Sequence, residues 1–210
     1  MLINSQEIDK YIHNLLLKPY MIELKKDDLD KVKNIVLSKY NIKHEIIEYD
    51  YSDLSKLPNL EKCSIEFLDI TDELINNINK LENLKTLEFN SCEIKAVGKI
   101  KNNLNKILLQ SLEQQIFLMF EDNNVETIEI IDFKNIDLSI LSKFTHLKNL
   151  YIYNSNIINF SKILDMKSVE VLKLDGSEID DEVASNMISK SIFVQKNDKF
   201  VLANATLSKN

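Results

Sequence analysis

Residues 81–94 read LENLKTLEFNSCEI, with apolar side chains at Leu81, Leu84, Leu87, Phe89, Cys92 and Ile94. Their steps of 3, 3, 2, 3 and 2 residues match neither a helical stripe nor strict strand alternation. They describe a loop entry, then a short strand with Leu87 and Phe89 inward and Glu88 outward, then a turn that buries Cys92 and Ile94. A unit of this kind has one apolar side and cannot cover it alone. It needs copies of itself on either flank.

The copies are present. Anchored on the first apolar position, they begin at Leu60, Leu84, Leu104, Val125, Leu147 and Val169, at spacings of 24, 20, 21, 22 and 22 residues. The next two apolar positions are Cys63 and Ile65, Leu87 and Phe89, Ile107 and Leu109, Ile128 and Ile130, Leu150 and Ile152, Leu172 and Leu174. All eighteen are apolar in a chain that is 44% hydrophobic, so composition does not account for the pattern. A degenerate seventh unit, SIFVQ, closes the array, with Phe200–Leu202 returning as a terminal hairpin. The short strands are expected to pair in parallel. Return segments such as Thr71–Lys80 and Asp180–Ser189 form helices or helical turns behind them. Because these backs are bulkier than a strand spacing of about 4.8 Å, the sheet becomes the concave side.

LENLKTLEFNSCEI, THLKNLYIYNSNI and KSVEVLKLDGSEI resemble the leucine-rich repeat family, LxxLxLxxN/CxL, and the 22-residue spacing resembles that of bacterial internalin-type repeats. The resemblance runs from Leu57 to Ile192. It implies an α/β leucine-rich repeat solenoid with a curved parallel sheet on its concave face, and a non-catalytic module that binds a protein partner there. One departure stands out. The ninth motif position, Asn or Cys in the family, holds Leu68, Cys92, Leu112, Phe133, Ser155 and Ser177. Cys and Ser can bond backbone groups between turns, whereas Leu and Phe cannot. The eleventh position carries Gln114 and Asn135 where an aliphatic is expected, and Gln110–Asn124 is the least regular stretch.

Residues 1–56 differ from the array and read as an N-terminal α/β cap. Ser5 caps a helix to about Lys18 with Ile8, Ile12, Leu15 and Leu16 on its apolar face, and Pro19 ends it. Asp27 or Asp28 caps a second helix, where Leu29, Val32, Ile35 and Val36 recur at helical spacing. His44–Tyr51 reads as a strand with Ile47 and Tyr49 on one face. The organisation is then a cap over 1–56, about six repeats over 57–190, and a C-terminal cap over 191–210.

With 210 residues, a net charge of −7 and a pI near 5.1, the chain does not suit the phosphate backbone of a nucleic acid. The N-terminus lacks the basic and apolar regions of a secretion signal, and no apolar run nears the roughly 20 residues of a membrane helix. A cytoplasmic, monomeric protein without membrane contact is expected. Cys63 and Cys92 read as core thiols, and His13, His44 and His146 show no metal-ligand spacing. Gly98 and Gly176 are the only glycines, which leaves no phosphate-binding loop or nucleophile elbow. Asp180, Asp181 and Glu182 open a helix, where carboxylates favour the dipole. Glu88 and Glu129 lie two units apart, too far for an acid/base pair. No catalytic residue, metal or cofactor is expected.

The outward strand positions form three columns. The first is Lys62, Thr86, Lys106, Thr127, Asn149 and Val171. The middle is Ser64, Glu88, Leu108, Glu129, Tyr151, Lys173 and Phe193. The third is Glu66, Asn90, Gln110, Ile131, Tyr153 and Asp175. Ile131, Tyr151, Tyr153, Val171 and Phe193 gather toward the C-terminal half, beside the charged Glu88, Glu129 and Lys173. Exposed aromatics beside aliphatics have the composition of an interface centre. These eight residues are the candidate protein-binding site. The alternative is an inhibitor or immunity-type protein that blocks a toxin, nuclease or other effector enzyme, although lysines and carboxylates are near balance in the columns.

Overall fold

The computed structural model describes residues 2–41, 43–121, 124–176, 193–196 and 199–201, the last two stretches as backbone alone. The chain forms two compact units, Met1–Leu104 with Met119–Glu121, and Asn105–Leu118 with Asp122–Asn210.

In the first unit, α1 (Gln6–Leu15) buries Ile8, Ile12 and His13, while Leu16 is half-buried and Leu15 is 46% exposed, so Leu15 does not belong to the apolar face. Ser5 sits at the N-cap, but its hydroxyl accepts from Asp50 N (2.7 Å) and not from a helix amide. The two backbone amides just before the helix are satisfied from elsewhere in the chain. Asp53, fully buried, accepts from Ser5 N at 2.6 Å and from Asn4 N at 2.9 Å, and Lys56 Nζ lies 2.7 Å away. Burial pushes the Asp53 carboxyl up, but Lys56 and the two amides outweigh it and hold the group below its ordinary value.

The second expected helix is reduced to one turn, α2 (Lys26–Leu29), and the chain passes into a strand, β1 (Asn34–Ser38). Ile35 and Leu37 point inward and Val36 outward. The misreading has a physical source. Val32, Ile35 and Leu37 repeat the LxxLxL template, whose first step of three is shared with a helix. Pairing with the next strand decides between the two readings. Nor is 44–51 a strand: Tyr40 and Ile46 make an isolated antiparallel bridge, His44 is left-handed (φ 62°), and Tyr49 reaches back to Ser38.

β1 pairs in parallel with β2 (Lys62–Glu66), Ile35 opposite Cys63 and Leu37 opposite Ile65. A two-residue strand β3 (Asp69–Ile70) leads to α3 (Asp72–Ile78), the expected helical return, capped by Thr71 Oγ1 accepting from Leu74 N at 3.3 Å. β4 (Thr86–Asn90) pairs with β2, and β5 (Glu93–Ile94) pairs with β3. Cys92 and Ile94 are half-buried, not buried as expected.

In the second unit, β6 (Lys106–Gln110), β7 (Thr127–Ile131), β9 (Asn149–Tyr153) and β11 (Val171–Asp175) pair in parallel and in register. A second short ladder joins β8 (Ile136–Asp137) to β10 (Ile157–Ile158). β12 (Phe193–Lys196) follows in parallel beside β11, and β13 (Lys199–Val201) folds back antiparallel, which is the expected terminal hairpin. Leu202, Ser177 and the return expected at Asp180–Ser189 lie outside the described residues.

All eighteen repeat positions are buried, none more than 5% exposed. Each repeat strand from β2 onward is followed by a residue with positive φ: Phe67, Ser91, Ser111, Asp132, Asn154 and Gly176, between 47° and 64°. The amide of this residue extends the ladder by one bond, as Asp132 N does to Tyr153 O and Asn154 N to Asp175 O. A Cβ on Gly176 would meet Asn154 Oδ1 at 2.2 Å, so a larger residue at this turn would force the Asn154 side chain to move.

The polar exceptions in the template are each satisfied. Cys92 Sγ donates to Ile65 O (3.3 Å), and Ser155 Oγ accepts from Phe133 N (3.0 Å). Leu68, Leu112 and Phe133 fill the same position by burial. Gln114 Oε1 accepts from Asp137 N at 3.0 Å, and Asn135 Oδ1 accepts from Asn156 at 2.6 Å.

Candidate protein-binding face

Strand alternation sets the second unit's outward face. Leu150 and Ile152 are fully buried, so Tyr151 and Tyr153 emerge on the opposite side, half-buried. Register places Ile131 opposite Tyr153, Glu129 opposite Tyr151, Lys173 opposite Tyr151 and Val171 opposite Asn149. Six of the eight candidates thus share one face: Glu129, Ile131, Tyr151, Tyr153, Val171 and Lys173. Leu108, opposite Glu129 and half-buried, joins them. It stands in the middle column of the sequence pattern but is absent from the candidate set. Phe193 needs a correction. Its backbone pairs with Val171, which assigns it to the first column, and Gln195 takes the middle position beside Lys173. Glu88 lies on β4 of the first unit.

The charged members are already engaged within the chain. Lys106 Nζ lies 2.5 Å from Glu129 Oε2, and Lys173 Nζ stands 5.6 Å above the ring of Tyr153. In the first unit Glu88 is held by Lys62 at 2.7 Å and by the Ser64 hydroxyl at 2.5 Å. Burial raises the Tyr153 phenol above its ordinary value, with Glu129, Tyr151 and Asp175 adding to the shift. The apolar and aromatic members of the second unit's outward face are Leu108, Ile131, Tyr151, Tyr153 and Val171. Such a patch offers apolar contact and phenol hydrogen bonds, with little net field.

Among the described residues, no group of three His, Cys, Asp or Glu side chains is placed to hold a metal, and no helix is long and apolar enough to cross a membrane. Burial pushes the Cys63 thiol up to about 12 and Cys92 to about 11, so neither is a ready nucleophile.

No protein-family model matches the chain, and no curated protein matches it by sequence. Its structure is similar to internalin C2 from Listeria monocytogenes, at a TM-score of 0.57 and 17% identity over 99% of this chain and 91% of that one. It is also similar to an internalin (inlF) from the same organism, at 0.53 and 16%, over 93% of this chain and 63% of that one. At such identities the likeness concerns the backbone. It agrees with what the strands display: parallel five-residue strands, an LxxLxL core buried in every unit, and short helical returns. The chain has the α/β leucine-rich repeat solenoid fold found in the internalins.

Proposed function

We propose that the chain is a non-catalytic protein-interaction module whose partner docks on the sheet face formed by β6, β7, β9 and β11. The observation that carries this reading is the internal pairing of Lys106 with Glu129 and of Lys173 with Tyr153, which leaves an apolar and phenolic surface at the centre of the face. Rigid aromatic side chains lose little entropy on docking and hold a large share of interface energy. Residues 1–56 act in this reading as a cap, supported by the burial that α1 and β1 bring to the end of the first unit.

The test is a partner captured on wild-type protein and then measured against variants. Replacing Tyr151 and Tyr153 together by Ala leaves the fold intact and weakens binding by roughly 2–4 kcal/mol. Glu113→Ala and Lys162→Ala, outside the columns, do little. Full affinity in the double variant sinks the reading. An inhibitor steered by the chain's acidity would instead lose association rate steeply with salt, while apolar docking tolerates it.

A further inference from the structure

β1 is paired on one side alone, with β2, and its other edge lies within the first unit. Lys33 O accepts from Lys62 N and Lys39 N donates to Glu66 O, both at 3.0 Å. Residues 33, 35 and 37 therefore turn their N–H and C=O groups toward β2, Lys39 turns only its N–H there while its C=O accepts from Ile47 N at 2.8 Å, and Asn34, Val36 and Ser38 turn theirs toward the open edge. Two of those three are taken up by side chains. The Tyr11 hydroxyl donates to Asn34 O at 3.3 Å, and the Tyr49 hydroxyl accepts from Ser38 N at 3.1 Å and donates to Ser38 O at 2.8 Å. Burial pushes the Tyr49 phenol up to about 12, so it stays a donor at ordinary pH. Between the two tyrosines Val36, itself 41% exposed, presents an N–H and a C=O that no protein group engages among the described residues.

This gap opens into a cavity of about 340 Å³ whose walls include Tyr11, Val36, Tyr40, Ile47 and Tyr49. The volume is at the lower end of the range for ligand sites, about 300–1,000 Å³. A donor and an acceptor on one strand residue are matched by the N–H and C=O of a single residue of an extended chain, which point to the same side at the same spacing. The tyrosines also define what cannot bind. They block the edge on either side of Val36, so a second copy's β1 cannot pair along it, and only a short segment reaches the floor. We propose that this groove takes an extended peptide segment of a partner protein, with the N–H and C=O of one of its residues on Val36 and an apolar side chain against Tyr40 and Ile47.

The experiment is selection of random heptapeptides displayed on phage against immobilised full-length protein, followed by affinity measurement with the synthesised peptides. Val36→Ala keeps the backbone donor and should bind within a few-fold of wild type. Val36→Pro removes that donor at an edge position where proline is sterically admissible, and should bind about tenfold more weakly, as expected for one lost hydrogen bond. Methylating the peptide's own amides one at a time gives the same loss at one position on wild-type protein, and this arm stands if Val36→Pro does not fold. The proposal is overturned if no peptide is enriched over an uncoated surface. It is equally overturned if selected peptides tolerate both Val36→Pro and every N-methylation, or if their binding is removed by the Tyr151 and Tyr153 double variant instead.

Discussion

On the three paired strands of the first unit, the outward positions are Asn34, Val36 and Ser38, then Lys62, Ser64 and Glu66, then Thr86, Glu88 and Asn90. On the four of the second, Leu108, Ile131, Tyr151, Tyr153 and Val171 stand among Lys106, Gln110, Thr127, Glu129, Asn149, Lys173 and Asp175. The inward positions show no such contrast: Cys63, Leu87, Ile107, Ile128, Leu150 and Leu172 are all fully buried. One template of burial therefore supports an almost wholly polar face in one unit and, in the other, a face where apolar and aromatic side chains stand among polar ones. The template specifies the backbone, and the residues it leaves unspecified are free to carry recognition.

The sharpest way to break that comparison is to truncate the template in each unit. Leu87→Ala and Leu150→Ala should each destabilise by roughly 2–5 kcal/mol in denaturant titrations, since both remove fully buried methyl groups. A midpoint that does not move in one of the two would show that the units do not share their core logic.

A second contrast lies in the return turns. Asp50, Ser52, Leu54, Ser55 and Lys56 recur as Asp137, Ser139, Leu141, Ser142 and Lys143, with the same 3-10 turn and the same Asp cap on the Ser amide, at 3.0 and 2.9 Å. Where the second unit has Ile140, the first has the buried Asp53. Asp53→Asn should cost about 1.5–3 kcal/mol, the range for hydrogen bonds to a charged group. Because the folded carboxyl lies below its unfolded value near 4, its contribution is present above that pH and is lost as pH falls through the folded value. Stability measured from pH 6 down to pH 2 should therefore fall less steeply in the variant.

Smaller effects sharpen the picture. Ser155→Ala leaves the buried Phe133 amide without its acceptor and should cost about 1–3 kcal/mol, whereas Ser155→Cys should cost less, since Cys92 occupies the equivalent place. Lys106→Ala, which frees Glu129 on a half-exposed face, should change stability by less than about 1 kcal/mol. A larger loss would mean that the outward pairs hold the fold and are not merely arranged upon it.

The strands from Lys62 to Asp175 were legible because their signal is burial repeated at near-constant spacing, and burial is what the fold selects for. β1 was hidden because Val32, Ile35 and Val36 also fit a helix, and the deciding residue, Leu37, lies one place further on. The hold of Asp53 on the segment before α1 could not be read, since a carboxylate 48 positions from the Ser5 amide has no local signature. Tyr151, Tyr153 and Ile131 followed from strand parity alone. The misplacement of Phe193 came from an unanchored register in a unit without the full motif. Asn59 and Asn83, each one residue before an anchor leucine, were a missed signal: they bond Asp30 O and Pro58 O at 2.8 and 2.9 Å.

The left-handed residue that ends each repeat strand bears on how arrays of this kind change length. Five of the six are not glycine, so the conformation is held at a local cost of about 1–2 kcal/mol for an ordinary L-residue, and Phe67, Ser111, Asp132 and Asn154 each add one amide bond to the ladder. These strands therefore end in the same left-handed conformation. If a stretch of coding sequence spanning one spacing is duplicated or lost, the two ends that meet are already matched in geometry. The number of units can vary by recombination, while the five-residue width of the strand cannot.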